Sequence, residues 1–311
     1  MGQLKNCLLC NAGLDFISLI PVEVYEGEGR HKVYNCRKCD IRFLYPGLNA
    51  EDEKKFYAKE FEKFMVKRSA SDAGWAKPED HIAANQVQVV RRMSYLEGLL
   101  PKSKKVRILE VGCSSGFLMY PLAEKGHECI GIEPSGVFSE FVRNQGLACY
   151  ENLEDMYEDG LGVNGFDLIM HFYVLEHIKE LDQFLSEQFK LLNPGGYLVF
   201  EVPHALDALH SVYKISEYDK FIWVVSHRWY FTEPSLNFLL NRIVPDANIN
   251  IQQDQRYDLS NHIVWARDGK PGGLGRFTDI LGQEIEDLYR QSLINAGHGD
   301  TLTAIVQKPF N

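Results

Sequence analysis

Residues 106 to 133 constrain the fold more than any other part of the chain. Val106-Arg-Ile-Leu-Glu-Val111 reads as a short buried strand. Gly112-Cys-Ser-Ser-Gly116 then turns tightly into a helix expected from Phe117 to Gly126. Glycines here leave no side-chain bulk where the strand ends, so a ligand can lie against the backbone. The next strand closes on an acidic residue, Glu133, at the distance where a carboxylate accepts hydrogen bonds from a ribose diol. The loop is Gly-x-x-x-Gly and not the Gly-x-Gly-x-x-Gly of dinucleotide binders, and Glu110 stands just before it. Taken alone, the loop is equally compatible with a plain strand-to-helix turn in any α/β protein.

Two later segments add to it. Phe166-Asp-Leu-Ile-Met-His-Phe172 leads into a Tyr-Val-Leu-Glu-His turn, and Leu191-Leu-Asn-Pro-Gly-Gly precedes the strand Tyr197 to Val202. In this order and near this spacing, the three segments resemble motifs of the class I S-adenosylmethionine-dependent methyltransferases, over roughly residues 80 to 308. The resemblance implies a doubly wound α/β, Rossmann-like sheet of seven strands in the order 3-2-1-4-5-7-6. Its antiparallel last strand would be Thr301 to Gln307, after a helix Asp279–Ala296. Strands at 106–111, 129–133, 148–150, 167–172 and 197–202, alternating with helical segments, fit the same class.

The resemblance also implies S-adenosylmethionine as cofactor. Gly112, Cys113 and Gly116 would lie against its methionine part, with Glu110 near the amino group. Glu133 would hold the ribose and Pro134 the adenine edge; Asn152 and Leu153 would meet the adenine. His171 and Phe172 would stand beside the sulfonium, and Tyr57 would cap the methionine carboxylate.

The amino-terminal fifty residues carry different chemistry. Cys7-Leu-Leu-Cys10 and Cys36-Arg-Lys-Cys39 are two knuckles separated by 25 residues. Each delivers two thiolates from one tight turn, which together match a closed tetrahedral zinc site. Redox pairs or disulfides are the competing readings, and a reducing compartment favours structural zinc. So small a segment has little core of its own, so the metal would supply much of its folding free energy. The remaining cysteines, Cys113, Cys129 and Cys149, read as small buried side chains. A similar cysteine-paired module precedes the methyltransferase domain of sugar C-methyltransferases.

Three parts are therefore expected. Residues 1–50 form a zinc-ribbon-like module, residues 51–100 a helical linker and cover, and residues 101–311 the methyltransferase domain, with an insertion at about 204–245. The cover would hold an amphipathic helix from Glu51 to Arg68, a linker with Trp75, and a helix from His81 to Leu100. A formal charge of −10 without a basic run argues against a nucleic-acid partner. No apolar run approaches the ~20 residues of a membrane span, and neither a signal-peptide core nor a myristoylation signal stands at the start. A bacterial or archaeal cytoplasm is the expected setting.

For the acceptor, Val224-Val-Ser-His-Arg-Trp-Tyr-Phe231 resembles the Tyr-His-Glu-His stretch of the sugar C-methyltransferases, but only the last histidine, His227, is kept. That departure puts carbon-acid chemistry in doubt. O-methylation of a sugar, nucleotide sugar or surface-glycan precursor becomes the leading expectation. C-methylation of a keto-sugar, methylation of a lipid-like or polyketide product, and non-catalytic cofactor binding stand as alternatives. Asn261-His-Ile-Val-Trp265 with Gly269-Lys-Pro-Gly-Gly273 resembles methyltransferases encoded among surface-polysaccharide genes and reads as either a groove wall or a surface hairpin. Of five histidines placed to face the methyl group (His171, His177, His204, His227 and His262), His227 is the expected general base and His177 the residue that orients the acceptor. Trp223, Trp229 and Tyr230 would offer aromatic faces to a sugar.

Overall fold

In the computed structural model of the chain the described residues are 3–27, 29–49, 51, 77–101, 104–162 and 164–310. Apart from Glu51, the expected helix Glu51 to Arg68, with Tyr57, lies outside them, as does Trp75. In chain order the strands are β1 Ile17–Ile20, β2 Lys32–Cys36, β3 Arg42–Tyr45, β4 Arg107–Val111, β5 Glu128–Ile132, β6 Ala148–Tyr150, β7 Phe166–Phe172, β8 Leu192–Pro203, β9 Trp229–Tyr230, β10 Asn248–Asp254 and β11 Thr301–Gln307.

Seven of these form one sheet in the order β10-β11-β8-β7-β4-β5-β6. Strands β4 to β8 run parallel within it, while β11 is antiparallel to both β8 and β10. This is the expected Rossmann-like order. It also locates the sixth family strand at Asn248–Asp254, which its alternating, mostly polar sequence had hidden. The central strands β4 and β7 are buried almost end to end because helices cover both faces. The helix Leu181–Leu191 buries Leu181, Leu185 and Gln188, one stripe at helical spacing against the sheet.

The other four strands form a second sheet, β1-β2-β3-β9. Its first three strands come from the cysteine-bearing segment and its fourth from the 204–245 stretch, with Arg42 opposite Tyr230 and Phe43 opposite Trp229. The two regions share one hydrophobic core: Cys7, Leu9, Cys36 and Phe43 cluster with Trp229, Phe231, Leu236 and the sheet residues Leu109 and Val111. Both knuckles also grip the helix Glu233–Ile243. Its N-cap Thr232 donates its hydroxyl to the Asp40 carbonyl at 3.0 Å, and Arg242 near its end donates to the Leu9 carbonyl.

Two expected helices are broken. His81 to Leu100 divides into Pro78–Ala84 and Gln86–Leu99 at Asn85. Asp279 to Ala296 divides into Thr278–Leu281 and Gln283–Asn295 at Gly282, whose φ of 84° a helix cannot accommodate. Residues 261–265 are not a hairpin: they lie in a helix, Leu259–Asp268, capped by the Asp258 side chain and ended by Gly269 in the left-handed region. Among the described residues no helix is long and apolar enough to cross a membrane.

Helix Gln86–Leu99 is pinned to the sheet by a buried charge cluster. Arg91, Arg92 and Tyr95 converge on Glu201 of β8 at 2.7, 3.0 and 2.7 Å. Burial on its own would raise the Glu201 pKa, but the guanidiniums of Arg92 and Arg91 outweigh it and hold the carboxyl at about 2. A depressed carboxyl contributes stability that is fully present above its unfolded pKa of 4.5 and is lost as pH falls toward about 2. Glu201→Gln is therefore expected to cost about 3–5 kcal/mol at neutral pH, the range for breaking a buried pair. It should also flatten the acid limb of stability between those two values. Thermal melts from pH 2.5 to 7 check both, and a variant as acid-sensitive as the parent would refute the role.

Candidate functional site

At the carboxyl ends of the parallel strands lies a cavity of about 670 Å³, the place where open α/β sheets hold ligands. Three chain turns build its floor. The first follows β4: Gly112 takes a φ of +73°, and its N–H bonds the Ile132 carbonyl at 2.7 Å. A Cβ on Gly112 would stand 2.6 Å from a Val174 methyl, so the loop lies directly under the Val-Leu-Glu-His turn and only glycine fits. The second turn follows β5. The Glu133 carboxylate accepts the N–H groups of Ser114 and Ser135, each at 2.8 Å, which orients it at the cavity floor. The third is the short turn Leu175–His177 after β7, which follows Tyr173 at a φ of 58°.

Glu110, Gly112, Glu133, Pro134 and Phe172 all line the cavity. Glu110 is 2 % exposed, and its Oε2 has no hydrogen-bond partner among the described residues. Burial pushes its pKa up to about 8, with Arg92 opposing and Glu133 adding to the rise.

The structure sets other expected cofactor contacts elsewhere. His171 is fully buried on the opposite face of β7, stacked on Phe200 at 4.7 Å, because side chains alternate along a strand and Phe172 takes the cavity side. Its desolvated imidazole is held neutral, with a pKa of about 3. Cys113 turns inward, its Sγ 3.7 Å from that of Cys149. Gly116 opens the following helix without lining the cavity. Asn152 is spent on capping the helix Leu153–Glu158, accepting the Asp155 N–H at 2.9 Å, and Leu153 packs into the core.

At the other end of the cavity, His177 and His227 come together, ring centroids 4.9 Å apart. His177 Nδ1 donates to the Ser226 carbonyl at 2.9 Å, and the Arg228 N–H donates to the Glu176 carbonyl at 2.8 Å. The turn and the loop bearing His227 are thus latched to each other. His204 also lines the cavity, its Nδ1 held on the Gly299 carbonyl at 2.8 Å. His262 is buried against the Tyr289 hydroxyl and does not line it. Trp223, Trp229 and Tyr230 are core residues: Trp223 meets Tyr230 edge-on, ring centroids 4.5 Å apart, and Trp229 donates to the Ile178 carbonyl. The aromatic walls instead include Phe117, Phe138, Phe172, Tyr173, Tyr218 and Phe221.

Sequence reasoning missed Arg92, whose guanidinium sits 3.8 Å over the Phe172 ring at the cavity wall. The signal was a cation on the buried side of an amphipathic helix, beside Met93 and Leu96. It also missed a polar group of Asp207, Tyr218, Arg256 and Asp300. In it Tyr218 donates to Asp207 at 2.5 Å and Arg256 pairs with Asp300 at 3.0 Å.

The four cysteines of the knuckles converge. Cys7 and Cys39 sulfurs are 3.7 Å apart, and Cys10 and Cys36 sulfurs 3.6 Å. These are close to the edges, about 3.8 Å, of a tetrahedron with zinc–sulfur bonds of about 2.3 Å.

Comparison with known proteins agrees with this architecture. Residues 65–243 match the family model described as a methyltransferase domain. The chain is 30% identical over 135 residues to a ubiquinone biosynthesis O-methyltransferase of Chelativorans sp. (strain BNC1), covering 42% of this chain and 51% of that protein. It is 33% identical over 110 residues to the protein of the same name from Agrobacterium fabrum, covering 33% and 40%. The chain thus spans about half or less of the length of these curated relatives. A SAM-dependent methyltransferase structure from Archaeoglobus fulgidus superimposes with a TM-score of 0.50 at 16% identity, covering 80% of this chain and 100% of that one, a likeness of fold.

Proposed function

Because this chain belongs to the methyltransferase-domain family, we propose that it transfers a methyl group from S-adenosylmethionine to a hydroxyl of a small acceptor. The observation that carries this reading is the single cavity joining Glu110, Gly112 and Glu133 at one end to His177 and His227 at the other, across Phe172. The buried, unpartnered oxygen of Glu110 suits the ammonium of the methionine part, and the strand-end carboxylate of Glu133 suits the ribose diol. When bound, S-adenosylmethionine supplies a methyl group on a sulfonium.

The chain's own residues do the rest. Arg92 offers its charge to the methionine carboxylate, and Pro134 with Phe138 flanks the adenine. Phe172 and Tyr173 exclude water from the line of transfer, so positioning supplies much of the rate. A hydroxyl is a weak nucleophile at neutral pH; His227 takes its proton while His177, fixed by the Ser226 carbonyl, orients it.

The polar group of Asp207, Tyr218, Arg256 and Asp300 supports a polyhydroxylated acceptor, a sugar, nucleotide sugar or glycan precursor. A phenolic acceptor is the second reading. It is favoured by the apolar wall of Val87, Phe221, Ile222 and Leu274 and by the names of the curated relatives. Incubation with S-adenosylmethionine and a panel of nucleotide sugars and phenols, read by mass spectrometry for one added methyl, tests both; no methylated product from any acceptor would sink the proposal.

We further propose one structural zinc ion on Cys7, Cys10, Cys36 and Cys39, supported by their sulfur spacing. In the proposed domain division the module at 1–50 and the stretch at 204–245 form one unit through the shared sheet.

Glu133→Ala is expected to weaken S-adenosylmethionine binding by about 1–3 kcal/mol, the range for charge-assisted hydrogen bonds. Calorimetry checks it. Unchanged affinity would remove Glu133 from the ribose, and equal binding of NAD would point to a dehydrogenase.

A further inference from the structure

Glu176, His177 and His227 bring a carboxylate oxygen and two ring nitrogens within 4.8 Å of one another, and all three residues line the cavity. Glu176 is the telling member. It is 1 % exposed, and its Oε2 has no hydrogen-bond partner among the described residues. A buried carboxylate oxygen without a partner is costly, and a cation would relieve that cost.

The neighbouring imidazole is already oriented. A backbone carbonyl only accepts, so the proton of His177 sits on Nδ1, facing Ser226 at 2.9 Å. Its Nε2 lone pair is then turned toward Glu176, 3.9 Å from Oε1. A hydrogen bond from the second ring nitrogen to a carbonyl is the usual support of a ligating histidine. The bond from the Arg228 N–H to the Glu176 carbonyl fixes the third residue's loop against the first two.

We propose that Glu176, His177 and His227 form a divalent-metal site whose open positions take the acceptor hydroxyl. Two imidazoles and one carboxylate on one side of an ion leave room for oxygen ligands on the other. Coordination of the acceptor oxygen lowers its pKa, so its O–H bond breaks and the proton passes to water. The freed oxygen lone pair then forms the new bond to the methyl carbon, while the electron pair of the old carbon–sulfur bond returns to sulfur. This rests on the methyl-transfer reading but gives His227 the role of a ligand in place of a base.

The test is a Mn²⁺ titration of the full chain followed by electron paramagnetic resonance of the free ion. Mn²⁺ prefers carboxylate and imidazole to thiolate, so the cysteine cluster does not compete. One bound Mn²⁺ per chain is expected. Glu176→Gln and His227→Asn should each weaken it by more than about 100-fold, beyond the loss of an outer hydrogen bond. Both variants are to be checked as folded by S-adenosylmethionine calorimetry. Failure of the wild-type chain to bind Mn²⁺, or binding that survives both substitutions, overturns the site. Turnover that persists in chelator with no ion bound overturns the metal and leaves methyl transfer standing. Mn²⁺ binding lost in both variants, with no methylated product from any acceptor, keeps the site and removes the methyl-transfer reading.

Discussion

His227→Ala is expected to lower kcat by about 10²–10⁴-fold, the usual cost of losing a general base, while S-adenosylmethionine affinity stays unchanged. The residues proposed to hold the cofactor, Glu110, Gly112 and Glu133, sit on β4, β5 and their turns. His227 enters from a different sheet altogether, on the loop between Val224 and β9. Its ring faces His177 at 4.9 Å and Tyr230 at 5.8 Å. Truncating it therefore removes chemistry at the acceptor end without touching the cofactor end. Single-turnover kinetics beside calorimetry separates the two. If His177→Ala destroys turnover and His227→Ala does not, the roles are reversed; if neither matters, positioning alone carries the reaction. A loss of the same size is expected if His227 is a metal ligand, and the Mn²⁺ titration tells base from ligand.

The second large effect is expected far from the cavity. Cys36→Ser should abolish binding of the proposed zinc ion, which in small structural sites is worth about 10–16 kcal/mol at neutral pH. From the sequence, the first fifty residues would unfold while cofactor binding stays largely intact. The shared sheet extends that expectation. With the second knuckle gone, β3 loses its frame, and β9, paired with it at Phe43 and Trp229, loses its neighbour. The Arg228 carbonyl also accepts the Leu44 N–H at 3.0 Å, so the loop carrying His227 is displaced with it. Turnover should fall about as far as in His227→Ala, with cofactor binding at Glu110 and Glu133 largely kept. Elemental analysis, turnover and calorimetry on one sample decide it. A zinc-free variant with full turnover would show that the knuckles do not support the site.

What the sequence revealed was local. The turn after β4, the acidic end of β5 and the Val-Leu-Glu-His turn each lie within a dozen residues, and repeated strand–helix alternation implies the parallel order. What it hid depends on distant partners or on the side a residue faces. The two-residue strand at Trp229 has no pattern of its own; it exists because Phe43 lies beside it. For that reason Trp223, Trp229 and Tyr230 read as a sugar platform when they are core. His171 and Phe172 were read as a pair although adjacent strand residues point to opposite faces. The helix at 259–268 did carry readable marks, an aspartate before it and a glycine after it. Arg92 was masked by the expectation that a helical arginine faces water, and the Glu201 carboxylate that holds it lies 109 positions away.

The pairing of β3 with β9 also sets an order of events during synthesis. A chain emerging from the ribosome presents Cys36 and Cys39 before β4 to β11, so capture of the proposed zinc ion by the knuckles can precede formation of the larger sheet. Its sheet cannot close then, because the closing strand at Trp229 is made only after β4 to β8 have been extruded. Bringing such distant segments together carries a loop-closure cost that grows slowly with length, and it delays the contact until the intervening strands have drawn the ends near. Until that moment the edge of β3 stands unpaired, an open template for a neighbouring nascent chain. The last strand to join the four-stranded sheet is thus the one that brings His227 to the cavity, and the chain gains its acceptor end only once the earlier-made edge of β3 is covered.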